Sequence, residues 1–499
     1  MVYLSEYSLP GLPRQGENQL MKTSDAPALT GARSKLLVAA LALISAVAAL
    51  QQAVVIPILP RLVTAFDSPL TSVSWALTAS LLVGAIATPI AGRLGDMLGH
   101  KVVLTVVVAL LTVGSILGAL STSLPVFIIA RVLQGFAAAV IPLAIGLLRT
   151  NLPPQRIHSG IGIVSATLGA GNGVGLLLAG VISALIPGYA PLFWIITALS
   201  VLALILALTC IPSTDVRRSG TLDIPGAILL SSALVALLLA ISQGPDWGWR
   251  SAATLGMFGA AIVLGTLWVI VERRVSDPIV DIAMLIDPRT VGATLASLFL
   301  GFGLFGAFVL VPNLVQTPTT AGYGFGATVL GAAIFLMPTT ILMLGISLVS
   351  GRLIKRFSAS AVVALGGLCT AIALVFVALF HNEQVNIYIG TTILGLGIGL
   401  AFAALGIMAV EHVRPDQTAT ASGINSLARL IGGSIASPTI SAVLVASSPV
   451  GAAMPTINGY VAGFTIAAIG AAIAAAIAAT SARSARKKGA SNKQLTANA

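Results

Sequence analysis

The chain has 499 residues, 57% of them hydrophobic and 8% charged, with a mean hydropathy of +1.03 and a formal net charge of +11. Soluble domains carry about a quarter charged residues, so this composition excludes a water-soluble globular protein. Continuous apolar runs of roughly 20 residues exclude a β-barrel, whose strands alternate, and point to an all-α polytopic membrane protein.

A mostly polar stretch, residues 1–35, precedes the first apolar run and shows no cleavable-signal pattern. Apolar runs then predict spans near Leu36–Val63, Ser72–Ala91, Val102–Leu120, Pro125–Leu148, Gly160–Ile186, Leu192–Ile211, Ile224–Ile241 and Ala252–Val271. Further runs follow near Val291–Val315, Gly326–Val349, Ala361–Phe380, Ile387–Val410, Ala421–Val445 and Tyr460–Ala479. The total is about fourteen transmembrane helices. Of the 26 lysines and arginines, all but Arg61, Arg250, Arg131 and Arg429 fall in the tails and in alternate loops. This positive-inside bias predicts a multi-pass protein of the plasma (inner) membrane with both termini cytoplasmic. It also accounts for the +11 charge without nucleic acid. Cys210 and Cys369 read as buried structural thiols, no metal or cofactor is expected, and the expected assembly is a monomer in the lipid bilayer.

A charged stretch, Gly92-Arg93-Leu94-Gly95-Asp96-Met97-Leu98-Gly99-His100-Lys101, joins spans two and three. Its echo, Gly351-Arg352-Leu353 followed by Lys355 and Arg356, joins spans ten and eleven. Duplication of a six-span unit alone places the echo between spans eight and nine, so two extra spans separate the halves. The expected organisation is a cytoplasmic tail (1–35), a six-helix half (36–212), an inserted helix pair and linker (213–289), a second six-helix half (290–480) and a basic tail (481–499). The linker segment Arg273–Arg289 fits a position along the inner surface. Glycines permit a tight turn and close helix approach, and Asp96 is expected to cap the start of span three. A conformational latch made of Gly92, Asp96, Gly99, Lys101, Gly351 and Arg352 is the functional reading; a well-capped turn is the structural alternative.

Polar residues inside spans are costly and so mark interior or aqueous surfaces. Arg131 and Gln134 stand three apart, on one helix face, as do Asn425 and Arg429 at four apart. Gln51 and Gln52 lie in span one, and Asn172 lies within the run Gly169-Ala170-Gly171-Asn172-Gly173-Val174-Gly175 of span five. At about 1.5 Å per residue, Gln51 and Arg131 lie roughly 18 and 10 Å below the outer ends of their spans, so they meet only if their helices are adjacent and tilted. None of the 15 Asp and Glu is mid-span; Asp223 and Glu411, at the inner ends of spans seven and twelve, come nearest, and Glu411 leads as a proton carrier.

Gly92, Leu94, Asp96, Gly99 and Lys101 match the pattern Gly-x-Leu-x-Asp-x-x-Gly-Arg-Lys, so the chain resembles the major facilitator superfamily, with His100 where arginine is usual. The fourteen-span layout is similar to its drug:proton antiporter branch. Arg131-Val132-Leu133-Gln134-Gly135 matches a span-four motif whose arginine that family associates with proton transfer and substrate response. The glycine run of span five resembles the branch's glycine-rich pattern, with Val174 where a proline aligns, and the surroundings of Asn425 and Arg429 resemble its penultimate helices. In span one, relatives carry Leu-Asp-x-Thr-Ile-Val, and this chain reads Leu50-Gln51-Gln52-Ala53-Val54-Val55. The resemblance implies a secondary-active exporter of small amphipathic organic compounds (drugs, dyes or secondary metabolites) that exchanges cargo for protons by rocking two halves. Gln51 weakens the proton part, because an amide does not hand over a proton near neutral pH. The alternative is a lipid or lipophilic-metabolite transporter with weak or no coupling. An enzyme is not expected, because the four histidines are scattered.

Overall fold

The computed structural model describes residues 31–73, 75–213, 223–275, 278–411, 413, 417–448 and 455–497. Lipid offers no hydrogen bonds, so an apolar chain satisfies its backbone internally by coiling. Fourteen helices among the described residues are long and apolar enough to span. They are α1 (Gly31–Ala53), α2 (Trp75–Leu98), α3 (His100–Leu120), α4 (Leu124–Asn151), α5 (Pro154–Leu185), α6 (Ala190–Thr209) and α7 (Ile224–Trp247). The remainder are α8 (Ala252–Glu272), α9 (Pro288–Gln316), α10 (Val329–Phe357), α11 (Ala359–Leu379), α12 (Gln384–Val410), α13 (Thr418–Ala446) and α14 (Ile457–Ala497). The chain is an all-α membrane protein with two six-helix halves and an inserted pair. The end at which α2 meets α3, and at which α1 begins and α14 ends, carries most of the described arginines and lysines and is the basic end.

Helix packing repeats. α1 lies on α5, α2 on α4, and α3 on both α4 and α6. α9 lies on α13, α10 on α12, and α11 on both α12 and α14. Each pair of the second set is a pair of the first moved on by one six-helix unit plus the inserted α7–α8. The halves meet through α2 on α13 and α5 on α10, and these two contacts exchange under the same correspondence. α7 and α8 form a hairpin that leans on α2 and α13, while α8 itself is mostly exposed, as suits a helix facing lipid.

The two charged motifs are the last turns of helices, not loops. α2 runs on to Leu98 and α10 to Phe357, seven residues or more beyond the expected ends, and each closes on one residue with positive φ: Gly99 at +99° and Ser358 at +90°. Gly92 to Gly99 and Gly351 to Ser358 have the same spacing, so the repeat extends to the backbone turn itself. Contrary to the expectation from the sequence, Asp96 does not cap α3. The cap position belongs to Gly99, with no side-chain bond, whereas Ser358 caps α11 through Ala361 N. The linker packs at the basic end: a short helix, Ile282–Ile286, is capped by Asp281 and buries Ile282 and Met284. Cys210 and Cys369 are free thiols, half-buried rather than buried.

α5 is held on two sides by glycine. A Cβ on Gly171 or Gly175 would strike backbone of α1 at Ala46 and Leu50, and a Cβ on Gly169 or Gly173 would strike Met343 and Thr340 of α10. Two small-residue stripes on one helix thus bring it against its own half and against the other.

Candidate gate and transport pathway

At the basic end the two halves are joined by polar contacts. Thr420 Oγ1, at the start of α13, donates to Asp96 Oδ2 of α2 at 3.0 Å. The other Asp96 oxygen, Oδ1, accepts from His100 Nε2 at 3.0 Å, so the imidazole holds the carboxylate facing the opposite half. Glycines make room for this: the ring of His100 fills the space a Cβ on Gly146 would take, and a Cβ on Gly95 would strike Leu143 and crowd the same ring. Gly92 lets α2 approach Ala419, where an added Cβ would sit 3.2 Å from the carbonyl oxygen, and Gly351 does the same for α10 against Ser159. Lys355, which takes the place of Asp96 in the second motif, donates to Gln155 O of α5 at 3.1 Å. Arg149, in the last turn of α4, reaches across to Val410 O at 2.8 Å, Thr418 Oγ1 at 2.7 Å and Val413 O at 3.2 Å.

Of the residues expected in a latch, Gly92, Asp96 and Gly351 lie on the seam between halves, and Gly99 supplies the turn. Lys101 and Arg352 do not lie on that seam. Lys101 bonds to Leu208 O of α6, inside its own half, and Arg352 is exposed. Arg149 and Lys355 take part instead, and in the sequence they were legible only as positive-inside charges. Arg61, an exception to that bias, binds the last carbonyls of α5 at Ile186, Gly188 and Ser183, a cation serving a helix C-terminus.

Deeper in the first half, Arg131 gathers a buried network. Its Nη1 donates to Gln51 Oε1 at 2.9 Å and to Gln134 Oε1, its Nε to Ala76 O at 3.2 Å, and Gln134 Nε2 donates to Ser115 Oγ at 3.0 Å. Arg131, Gln51 and Gln134 are all buried. The face shared by Arg131 and Gln134 and the adjacency of α1 thus bring together the three residues whose spacing and depth suggested it. Immediately after Gln134, α4 tightens into a 3₁₀ segment, Phe136–Ala139. Such a segment inside a helix marks local strain or a hinge.

In the second half, Asn425 Nδ2 donates to Ala293 O at 3.2 Å and so ties α13 to α9. Arg429, one turn further, lies with its Cζ 4.8 Å from the ring centroid of Phe402 on α12. Its one described hydrogen bond is a long one, Nη2 to Ser426 Oγ at 3.4 Å, and no described carboxylate pairs with it. Gln52 and Asn172 are half-buried and stand outside the Arg131 network. Glu411 is exposed at the C-terminus of α12, so the structure does not enclose it as a proton carrier would be. Besides Asp96, the enclosed acids among the described residues are Asp223, which the sequence sets beside Glu411 at the inner end of a span, and Glu272, which the sequence does not single out. Glu272, at the end of α8, accepts from Val280 N at 2.7 Å, Asp223 caps α7 through Gly226 N at 2.9 Å, and both are buried. The linker folding back over α8 buries Glu272, which no local pattern announces.

The profile of the Major Facilitator Superfamily matches residues 41–437. The tetracenomycin C resistance and export protein of Streptomyces glaucescens is 28% identical over 78% of this chain and 71% of its own length. The MFS-type transporter EfpA of Mycobacterium tuberculosis is 29% identical over 80% of this chain and 74% of its own. Multidrug resistance protein Stp of the same species is 27% identical over 78% and 72%. The crystal structure of the human organic anion transporter MFSD10 superposes with a TM-score of 0.63 over 89% of this chain and 99% of that one, at 15% identity, a likeness of fold alone. With a family match over most of its length and that family's helix arrangement, the chain belongs to the major facilitator superfamily of membrane transporters.

Proposed function

We propose that the protein is a plasma-membrane exporter of small amphipathic organic compounds, working by alternating access between its two halves. The observation that carries this reading is the seam at the basic end, where Asp96–Thr420, Lys355–Gln155 and the Arg149 contacts close the gap between halves with bonds that can break and re-form. With that end in the cytoplasm, as the charge bias predicts, the seam is an inner gate, and opening it means rocking α2 from α13 and α5 from α10. The names of relatives, one a resistance and export protein and another a multidrug resistance protein, support export of organic compounds.

The drive is the open part. Resemblance supports exchange for protons. A second reading, a carrier of lipophilic metabolites driven by cargo gradient and membrane potential, is favoured by one feature: an amide, Gln51, faces Arg131 where relatives place an acid. Purified protein in liposomes, given a pH jump with the potential clamped by potassium and valinomycin, separates them. Uphill accumulation of a fluorescent dye supports proton exchange, and downhill flow alone supports the second reading. If no dye moves under any gradient, the export proposal fails.

A further inference from the structure

Charge inside this bundle has one sign. Arg131 and Arg429 lie within spans, whereas the nine described Asp and Glu occupy the last turns or caps of helices. The two arginines are not equally engaged. Arg131 is buried and wrapped by two amide oxygens and a carbonyl. Arg429 offers five donors, spends one on a 3.4 Å contact with Ser426, and is still part-exposed between the buried Ala428 and Phe402. It lies nine residues above Thr420 on the same helix, roughly 14 Å beyond the gate. A guanidinium in a poorly solvated interior with most donors free is the group a ligand carboxylate or sulfonate would satisfy. Phe402 fixes its plane by cation–π stacking, leaving the rim of the fork for the ligand.

We propose that Arg429, stacked on Phe402, is the anion-recognising group of the pathway and that the cargo is an amphipathic organic anion, an apolar body bearing a carboxylate, sulfonate or ionised phenol. The proposal rests on the export reading and narrows it. A cation in the same place meets the like charge of Arg429 and pairs with no described acid there, which discriminates against it. The sign of the cargo also bears on the drive. A membrane potential negative inside pushes an anion outward, by roughly 40-fold in concentration per charge per 100 mV, so export needs no proton carrier between the ends of the spans.

The test uses the full-length protein in nanodiscs and three probes with one aromatic body: naphthalene-2-sulfonate, the neutral naphthalene-2-sulfonamide and the 2-naphthyltrimethylammonium cation. The expected result is that the sulfonate binds about tenfold or more tighter than the cation, and that Arg429→Gln removes that margin without changing sulfonamide affinity. Equal binding of cation and sulfonate, or unchanged sulfonate affinity in Arg429→Gln, overturns the proposal. Sulfonamide binding and thermal melting report whether the variant folds. If it does not, Phe402→Leu replaces it, with an expected loss of about two- to fivefold for the sulfonate alone, and no loss counts against the proposal. Sulfonate binding with no flux in liposomes under either sign of potential would leave the anion site standing and sink the export reading. Flux of the cation alone would do the reverse.

Discussion

Arg131 and Arg429 are the same residue type at comparable cost to insert, one in each half, yet the protein treats them in opposite ways. Arg131 is buried among oxygens from α1, α2 and its own helix, which hold its Nε and Nη1 and leave only the enclosed Nη2 without a partner. Arg429 has an aromatic floor and one long bond, so a ligand adds to what it has. A buried hydrogen bond contributes about 1 kcal/mol net, while a buried partner left unpaired costs about 1–3 kcal/mol. The first arginine therefore organises the half it sits in, and the second is available for recognition.

Arg131→Lys is the harshest way to break this contrast. Lysine keeps the charge but not the planar fork that reaches Gln51, Gln134 and Ala76 together, so initial transport rates at matched protein should fall on the order of 100-fold, with a lower melting temperature. Rates near those of the parent would mean that the network is dispensable. Gln51→Glu sharpens the comparison instead, since it places a carboxylate against the same guanidinium, at the position where the resembled span-one motif has aspartate. The expected outcome is a pH dependence of dye accumulation that the parent lacks or shows weakly. A superimposable pH profile would remove this position from the coupling question.

Asp96→Asn tests whether the gate is independent of both arginines. The amide still accepts from Thr420 but no longer as a charged acceptor, which weakens the cross-half bond by about 1 kcal/mol and moves the gate equilibrium about fivefold toward opening at the basic end. Spin-label distances across that end read the shift, and an unchanged distribution would reduce the motif to a turn. The smallest effect is expected of Gly169→Ala. Its new methyl meets the flexible end of the Met343 side chain, which can move aside, so folding should change by less than about 1 kcal/mol while the halves part more readily. Gly171→Ala presses on the Ala46 carbonyl instead and should lower melting rather than shift the gate.

Composition and run length were enough to find the spans, because lipid leaves the backbone no alternative to helix. The Gln51–Arg131–Gln134 cluster was legible from spacing and depth, two quantities that a helix converts directly into position. The motif at Gly92 was not fully legible. Its glycines and charges resemble a turn, yet α2 stays helical to Leu98 because Asp96 finds His100 and Thr420 as partners and needs no water. Arg149 and Lys355 were seen only as charges on the expected side. Their partners, carbonyls at Val410 and Gln155, carry no sequence signature, since every residue has a carbonyl.

The two glycine stripes of α5 have a kinetic meaning. On the proposed alternating-access cycle, the stripe facing α1 is a permanent surface within one half, and the stripe facing α10 is one that forms and parts each time. Because both lie on one helix, a single methyl group on one stripe or the other changes either how long the protein survives or how long it dwells in each state. On that cycle, turnover would be tuned through volume at Gly169 and Gly173, in steps as small as one carbon atom.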